Sequence, residues 1–313
     1  MRIPESLGRD MYRALVWGPY RHLCRWAPAG RELEMHRALG RLACRFAGNQ
    51  RAQVRENLAR GLPDRQDLDA LVEGVFQSHF AEQYLCFSLG RVQQGNWERY
   101  LRFEGLSHLE DSLANGKGVV LVHPHMGPAQ LPLCVLGLLG HEVVQVTGVP
   151  DVDGLSDRGR RSGAKRAELE QQMAVQLLVG TGFLRPALRT LERGGIVFTA
   201  MDGTGEEKEI GRRLSRVVLG REMAVPVGAI WMALKSGAAL HTVVTRHAPD
   251  EQCAHVAEFG PPWEIEEDAS LDKALEKGAD QVAAELTRLL RDHPADWVFW
   301  DSFEPGRLLA GDS

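Results

Sequence analysis

Residues 116–130 constrain the fold more than any other stretch of this chain. Residues 119–122 are wholly apolar, which is typical of a strand that is buried on both faces. The run ends in His123 and His125, and after a Gly-Pro pair residues 131–139 are apolar enough for a buried helix. In open α/β sheets, ligands bind at the carboxyl ends of the strands. We therefore expect the functional site at this edge of the sheet.

Strands alternate with helices from about residue 101 onward. Strands are predicted at 103–105, 119–122, 142–146, 196–200, 217–219, 241–244 and 254–259, and helices at 107–115, 131–139, 184–193 and 271–291. This alternation predicts an α/β fold with a mostly parallel central sheet flanked by helices. Residues 151–166 are expected to form a loop or the start of a helix.

The first hundred residues predict only helices, at 6–27, 31–47, 50–61 and 66–90, with a split or kink at Gly18-Pro19. The chain thus divides into a helical N-terminal region, 1–100, and an α/β domain, 101–313. Residues 1–60 contain twelve arginines and five acidic residues, a net charge of +7, whereas the remainder carries −12. A basic, aromatic-rich helical segment suggests contact with an anionic membrane. A solvated helix that merely packs on the domain is an equally good interpretation.

Composition excludes several classes of protein. No apolar run reaches the roughly 18 residues of a membrane span, and the start lacks the uninterrupted apolar core of a signal peptide. The five cysteines are scattered without paired spacing, so neither a disulfide framework nor a structural zinc site is expected. These features favour a cytoplasmic protein, with peripheral contact at the inner face of the membrane, and we expect no nucleic-acid partner.

His123 and His125 lie two residues apart, so they share a face if the strand continues. One of them is a good general base, because the ordinary pKa of histidine is near 6.5. Alternatively, the pair ligates a metal, but a metal site needs a third ligand and no convincing cluster supplies one. In the third interpretation both side chains are structural. The local pattern alone leaves these three open.

Asp202 directly follows the buried strand predicted at 196–200 and precedes Gly203. If the sheet is parallel, this carboxylate lies at the same edge as the histidines. It would then orient a base or hold an acceptor, or it would simply cap an Asp-Gly turn through its own backbone.

A cluster of basic residues lies between the strands predicted at 142–146 and 196–200. It consists of Arg158, Arg160, Arg161, Lys165 and Arg166. It would bind phosphates, such as those of coenzyme A or a phosphopantetheine arm, or it is a solvated charged face. Neither a G-x-G-x-x-G fingerprint nor a P-loop is present.

Taken in order, these segments resemble the lauroyl/myristoyl lipid A acyltransferase branch of the lysophospholipid acyltransferases. The resemblance is carried by Asn57-Leu58 with Leu62-Pro63, Phe103-Glu104-Gly105 with His108-Leu109, residues 116–127, Arg185 with residues 191–194, Met201-Asp202-Gly203, Leu219-Gly220 with Pro226 and Gly228, residues 235–238, and Pro294 with Trp297. No one of these matches is specific, but their collinear order is.

The resemblance implies that His125 is the general base of an acyl transfer. In the family motif an acidic residue follows the histidine after four residues and polarises it, but Gln130 stands at that position here. An amide oxygen can accept the ring N–H, yet it brings no charge. Three explanations stay open: the acceptor is a better nucleophile, such as an amine; another acid, Asp202 or Glu206, substitutes; or acyl binding is kept while transfer is lost.

The function implied is transfer of a fatty acyl group from a thioester of acyl carrier protein or coenzyme A to a hydroxyl or amine of an amphipathic acceptor. His125, Gln130 and Asp202 are the expected catalytic residues, and no metal or cofactor beyond the donor's phosphopantetheine is needed. Backbone N–H groups near Gly127, or Arg185, are the candidates for binding the oxyanion. The full set expected to bind substrate is His123, Gly127, Arg158, Arg160, Arg161, Arg185 and Gly203. The rival interpretations are a non-catalytic acyl-chain or carrier-protein binding module and a metal-dependent hydrolase using His123 and His125.

Overall fold

Seven strands form a central sheet in the computed structural model, which describes residues 5–148, 154–180, 184–203, 211–265 and 270–310. The described strands are β1 (Arg102–Glu104), β2 (Val119–His123), β3 (Val143–Thr147), β4 (Gln176–Val179), β5 (Ile196–Ala200), β6 (Arg213–Val218), β7 (Arg221–Pro226), β8 (Ala239–His247) and β9 (His255–Phe259). Their order in the sheet is β1-β9-β8-β2-β5-β3-β4, while β6 and β7 form a separate pair. Within the sheet only β8 and β9 pair antiparallel. The predicted α/β fold with a mostly parallel sheet is confirmed.

Strand β2 lies inside the sheet between β5 and β8, and it is buried along its whole length. This position explains why residues 119–122 are apolar without alternation. In the parallel register His123 pairs with Ala200. His125 and Asp202 each come two residues after this last pair, so the backbone brings both to the same edge of the sheet.

Helices cover the sheet and make up the amino-terminal region. The described helices are α1 (Leu7–Leu15), α2 (Arg21–Cys24), α3 (Arg31–Phe46), α4 (Gly48–Gly61), α5 (Leu68–Tyr84), α6 (Cys86–Leu89), α7 (Leu106–Ala114), α8 (Leu131–Leu138), α9 (Asp157–Glu170), α10 (Leu184–Glu192), α11 (Gly228–Ser236) and α12 (Leu271–Asp292). Helical turns also lie at Val16–Tyr20, Trp97–Arg99, Pro294–Asp296 and Trp300–Ser302. The kink predicted at Gly18-Pro19 is present, because Gly18 has a non-helical backbone conformation.

Several details differ from the sequence-based expectation, and neither β7 nor α11 was predicted. Strand β4 was not predicted, because it is short and mostly exposed at the edge of the sheet. The strand predicted at 217–219 is the end of β6, which belongs to the separate hairpin and turns at Leu219 and Gly220, both with positive φ. The helix predicted over 66–90 is broken between Tyr84 and Cys86.

The helical N-terminal region shares one hydrophobic core with the sheet. Helix α5 packs against Pro294–Asp296, and α4 packs against Trp300–Ser302. All five cysteines are buried and unpaired. In the described part of the chain, no helix combines the length and the apolar composition that crossing a membrane requires.

Two glycines just before β2 provide a matched test of packing. Both have positive φ, but a Cβ on Gly118 would lie 2.6 Å from the carbonyl oxygen of Leu191, whereas a Cβ on Gly116 would meet nothing within 4 Å. Gly116→Ala should therefore cost about 1 kcal/mol through backbone strain alone. Gly118→Ala should cost about 1 to 3 kcal/mol more, because a rigid backbone cannot move aside. Urea unfolding of the two variants measures the difference, and equal costs would contradict the close approach of Leu191.

Candidate active site

His125 and Asp202 meet at the carboxyl edge of the sheet, in the turns that follow β2 and β5. The ring Nδ1 of His125 lies 2.8 Å from Oδ1 of Asp202. The backbone N–H of His125 donates to Oδ2 of the same carboxylate at 2.8 Å. The indole N–H of Trp297 also donates to Oδ2, at 2.9 Å. One carboxylate therefore holds the ring of His125, the backbone of His125 and the side chain of Trp297.

Asp202 is completely buried, and its charge is maintained by these contacts. Burial by itself would raise the pKa of this carboxyl, but the charge of the His125 ring and the hydrogen bonds from His125 and Trp297 outweigh it. The pKa of Asp202 consequently lies below its ordinary value of 3.8. An ionised carboxylate can only accept hydrogen bonds, so Nδ1 of His125 carries the proton. The lone pair of the neutral imidazole is then on Nε2, which is the arrangement a general base needs.

A segment far downstream in the chain covers the His125 loop. Trp297 forms an antiparallel bridge with Met126, and the N–H of Val298 donates to the carbonyl of His125 at 3.0 Å. The ring of Phe299 lies 4.6 Å from the ring of His125, centroid to centroid. The side chain of His125 nevertheless stays 19% exposed, so the ring is restrained without being sealed off.

Asp296 anchors the segment that includes Trp297 and Phe299. Its Oδ1 accepts hydrogen bonds from Ser78 at 3.3 Å and from the backbone of His247 at 3.2 Å. Burial raises the pKa of Asp296, while the nearby charge of Arg37 opposes the shift. The segment is thus tied to both α5 and β8.

Gln130, which the resemblance aligns with an acidic residue, forms its hydrogen bond away from His125. Its side-chain amide donates to Oε1 of Gln145 on β3, at 3.1 Å. Asp202 occupies the ring nitrogen that an acid at position 130 would serve in the family motif. Of the two substitutes considered from the sequence, Asp202 makes the contact, and Glu206 lies outside the described residues.

The backbone N–H groups expected to bind an oxyanion are already engaged. The N–H of Gly127 donates to the carbonyl of Asp296 at 2.9 Å, and that of Ala129 donates to Oε2 of Glu82 at 2.9 Å. The N–H of Gly127 thus holds the loop, and a binding role for Gly127 stays a prediction. Glycine is nevertheless required there: φ is +52°, and a Cβ would lie 2.8 Å from the carbonyl oxygen of Thr245.

Glu82 is a site residue that the sequence did not reveal. It lies on α5, in the helical region, without a motif around it, and supports the His125 loop through Ala129. Burial raises the pKa of Glu82 more than the charges of Arg166 and His125 lower it.

His123 lies beside the site without facing it. Its ring stacks on Phe198 at 4.0 Å between centroids, and Nδ1 lies 3.0 Å from the carbonyl oxygen of Pro124. Burial lowers the pKa of His123 to about 3, so the ring is neutral. His123 is only 5% exposed, and the binding role expected for it stays a prediction. In the described residues no three His, Cys, Asp or Glu side chains form a group that could hold a metal ion.

The remaining predicted residues lie in the turn after β5, on α9 and on α10. Gly203, with φ of +66°, packs under the guanidinium of Arg213. Arg185 is exposed at the start of α10. On α9, Arg158 and Arg161 are exposed, whereas Arg160 is turned to Asp157 and to the carbonyl of Leu155. The basic cluster of the sequence is therefore divided, with Arg160 already paired.

The comparison with known families covers nearly the whole chain. The model of the family described as bacterial lipid A biosynthesis acyltransferase matches residues 22–301, which include His125, Asp202 and Trp297. The chain belongs to this family. The protein is thus an acyltransferase of lipid biosynthesis, and the family implies an acyl donor and a lipid-type acceptor in general. The search of curated proteins found no match.

The lipid A acyltransferase family motif makes Gln130→Glu informative. Since the side chain at 130 faces Gln145 and Asp202 already holds Nδ1 of His125, restoring the acid should not accelerate acyl transfer. Steady-state kcat/KM of the variant and of wild type checks this. A clearly faster Gln130→Glu enzyme would mean that position 130 turns toward His125 during the reaction.

Glu82→Gln tests the buried charge under the loop. Burial raises the pKa of Glu82 above its ordinary value of 4.5, so the ionised form is disfavoured in the folded protein. Protonated Glu82 therefore favours the folded state at low pH. This contribution to the free energy of unfolding is lost as pH rises through the folded pKa. A glutamine keeps the acceptor for Ala129 without the charge. The stability of Glu82→Gln relative to wild type should therefore increase from about pH 4.5 to neutral pH.

Urea unfolding across that pH range measures the effect of Glu82→Gln. The exposed Glu98, replaced by Gln, serves as the control for removal of a surface carboxylate. A flat profile for Glu82→Gln would contradict a raised pKa.

Proposed function

We propose that the protein moves a fatty acyl group from a thioester, on acyl carrier protein or coenzyme A, to a hydroxyl or amine of an amphipathic lipid acceptor. His125 is the general base. The observation that carries this proposal is the contact between Nδ1 of His125 and the buried, ionised Asp202. It leaves Nε2 as the basic nitrogen, on a ring that is partly accessible at the carboxyl edge of the sheet.

The reaction begins when Nε2 of His125 removes the proton of the acceptor as its oxygen or nitrogen attacks the thioester carbonyl. A tetrahedral intermediate forms, and the imidazole becomes a cation. Asp202 stabilises this cation, because a fixed carboxylate in a water-poor site interacts with it more strongly than water does. The C–S bond then breaks, and the thiol leaves with the proton from Nε2.

Asp202 supplies the charge that Gln130 lacks. A histidine with its carboxylate on a neighbouring strand satisfies the same two needs as the family motif, the correct tautomer and a counter-charge for the imidazolium. This removes the need for an unusually nucleophilic acceptor, so hydroxyl and amine acceptors are both within reach.

The developing negative charge on the thioester oxygen requires a donor other than Gly127. Arg185 is our candidate. It begins α10, and the first turn of a helix that follows a parallel strand lies at the carboxyl edge. A guanidinium there would bind the oxyanion through its N–H groups.

The amino-terminal helix fits peripheral contact with the membrane that holds the acceptor. Leu7, Met11 and Leu15 are 79%, 66% and 59% exposed, and their spacing of four residues places them along one face of α1. Trp26 is 86% exposed. An exposed apolar face beside arginines is typical of a helix that lies in the surface of an anionic bilayer, here the inner face of the cell membrane.

Acyl transfer is tested with defined acyl-carrier-protein and acyl-CoA thioesters and a panel of lysolipid and amine acceptors. His125→Ala should abolish product formation, and Asp202→Asn should reduce kcat by about 10²- to 10⁴-fold, because the tautomer and the counter-charge are both lost. His108→Ala, which removes an exposed histidine on α7, is the matched control and should stay active.

Two outcomes would contradict the proposal. Undiminished transfer by His125→Ala would exclude the general base. Tight binding of acyl thioesters without turnover by the wild-type protein, unchanged in His125→Ala, would favour an acyl-binding module on this fold.

A further inference from the structure

A basic groove lies between the amino-terminal segment and α9, apart from the His125–Asp202 pair. It has a volume of about 270 Å³. Its main lining residues are Arg13, Trp17, Arg21, Arg158, Arg161 and Lys165. Five of these six side chains are cationic, which is the composition of an anion-binding site.

The charges in the groove are only partly compensated. Arg13 pairs with Glu5 and Asp10, and Lys165 pairs with Glu168. In the described residues, Arg21, Arg158 and Arg161 have no acidic partner. The Nε and Nη1 atoms of Arg21 are moreover buried without any hydrogen-bond acceptor in the part of the chain that the structure describes. Buried donors left unpaired are costly, so the groove is built for an anion that supplies acceptors.

The walls of the groove are held together before any ligand binds. Ser156, which caps the start of α9, donates to Asp10 at 2.6 Å and accepts from Arg13 at 3.2 Å. The guanidinium of Arg13 lies over Gly159, where a Cβ would be only 3.0 Å from Nη1. This close packing fixes α1 on α9, and an anion therefore does not need to order the site.

The groove opens beside the exposed apolar face of α1. Ala14, which lines the groove, follows Met11 by three residues and Leu7 by seven, so these side chains are neighbours on the helix surface. Trp17 forms part of the wall, and tryptophan is enriched where a protein meets the headgroup layer of a membrane. An anion in this groove would thus lie at the depth of a lipid phosphate when the apolar face enters the bilayer.

Three of the lining residues, Arg13, Trp17 and Arg21, precede the residues that the lipid A acyltransferase family model matches, 22–301. The family match therefore does not extend to this half of the wall.

We propose that the groove binds the phosphate of an anionic glycerophospholipid and so fixes the protein on the membrane surface. The planar guanidinium groups of Arg21, Arg158 and Arg161 suit the bidentate recognition of phosphate oxygens. The proposal rests on the membrane contact described under the proposed function, but it does not depend on acyl transfer at His125. It assigns Arg158 and Arg161 to a lipid rather than to the phosphates of the acyl donor.

Vesicle flotation with the full chain tests this assignment. Wild-type protein should bind vesicles of phosphatidylcholine with phosphatidylglycerol and bind vesicles of phosphatidylcholine alone far more weakly. The double variant Arg158→Gln/Arg161→Gln should bind the anionic vesicles about tenfold or more weakly, given the contribution of each basic residue at an anionic surface. Arg221→Gln/Arg291→Gln removes two exposed arginines elsewhere, on β7 and in the last turn of α12, and should change binding much less.

Two further arms separate the possible sources of phosphate. Coenzyme A and inorganic phosphate, added at millimolar concentration, should not release the wild-type protein from anionic vesicles. His125→Ala should bind vesicles like wild type, so a failure of the transferase proposal leaves this result intact. If the double variant does not fold by circular dichroism, Ser162→Asp, which places a negative charge in the groove, replaces it and should weaken binding similarly.

Equal losses in the groove variant and in the Arg221/Arg291 control would overturn the proposal in favour of non-specific charge attraction. Release of the wild-type protein from vesicles by coenzyme A would also contradict the proposal. So would a groove variant that loses affinity for coenzyme A but still binds vesicles. Either result would indicate that Arg158 and Arg161 bind the phosphates of the acyl donor.

Discussion

The buried carboxylate of Asp202 is the interaction on which the functional edge of this protein depends. It accepts hydrogen bonds from the ring of His125, from the backbone of His125 and from the indole of Trp297. A buried charge is tolerated only when its oxygens accept hydrogen bonds. The three donors come from different parts of the structure: the ring of His125, the backbone turn after β2, and the segment that carries Trp297. The loss of any one donor would raise the pKa of Asp202, so the three hydrogen bonds are energetically linked.

The fold and half of the site follow from the sequence for the same reason. Parallel strands put the residues after them at one edge, so the apolar runs before His125 and Asp202 were enough to predict their proximity. The strand predicted at 217–219 was not assigned to a hairpin with β7, because an apolar segment of strand length does not specify its partner. The turn of this hairpin, with Leu219 in a left-handed conformation, is a tertiary property.

The other half of the site could not be predicted, because it comes from segments that only packing brings together. Glu82 lies on a helix of the amino-terminal region, and nothing in its local sequence indicates that it faces Ala129. Trp297 was part of the family resemblance, but the sequence did not indicate that its indole contacts Asp202. Gln130 looked like a lost catalytic acid. The structure gives it another neighbour, Gln145, and the carboxylate at the ring of His125 comes from Asp202, in the turn after β5.

The position of Trp297 in the chain has a consequence for how the protein matures. Every described strand of the sheet is synthesised before this residue emerges from the ribosome, yet the carboxylate beside His125 has its third donor only after it docks. A nascent chain can thus pair its described strands before the indole of Trp297 is available to Asp202. The hydrogen bond that completes the coordination of this buried carboxylate is therefore one of the last that the chain can form.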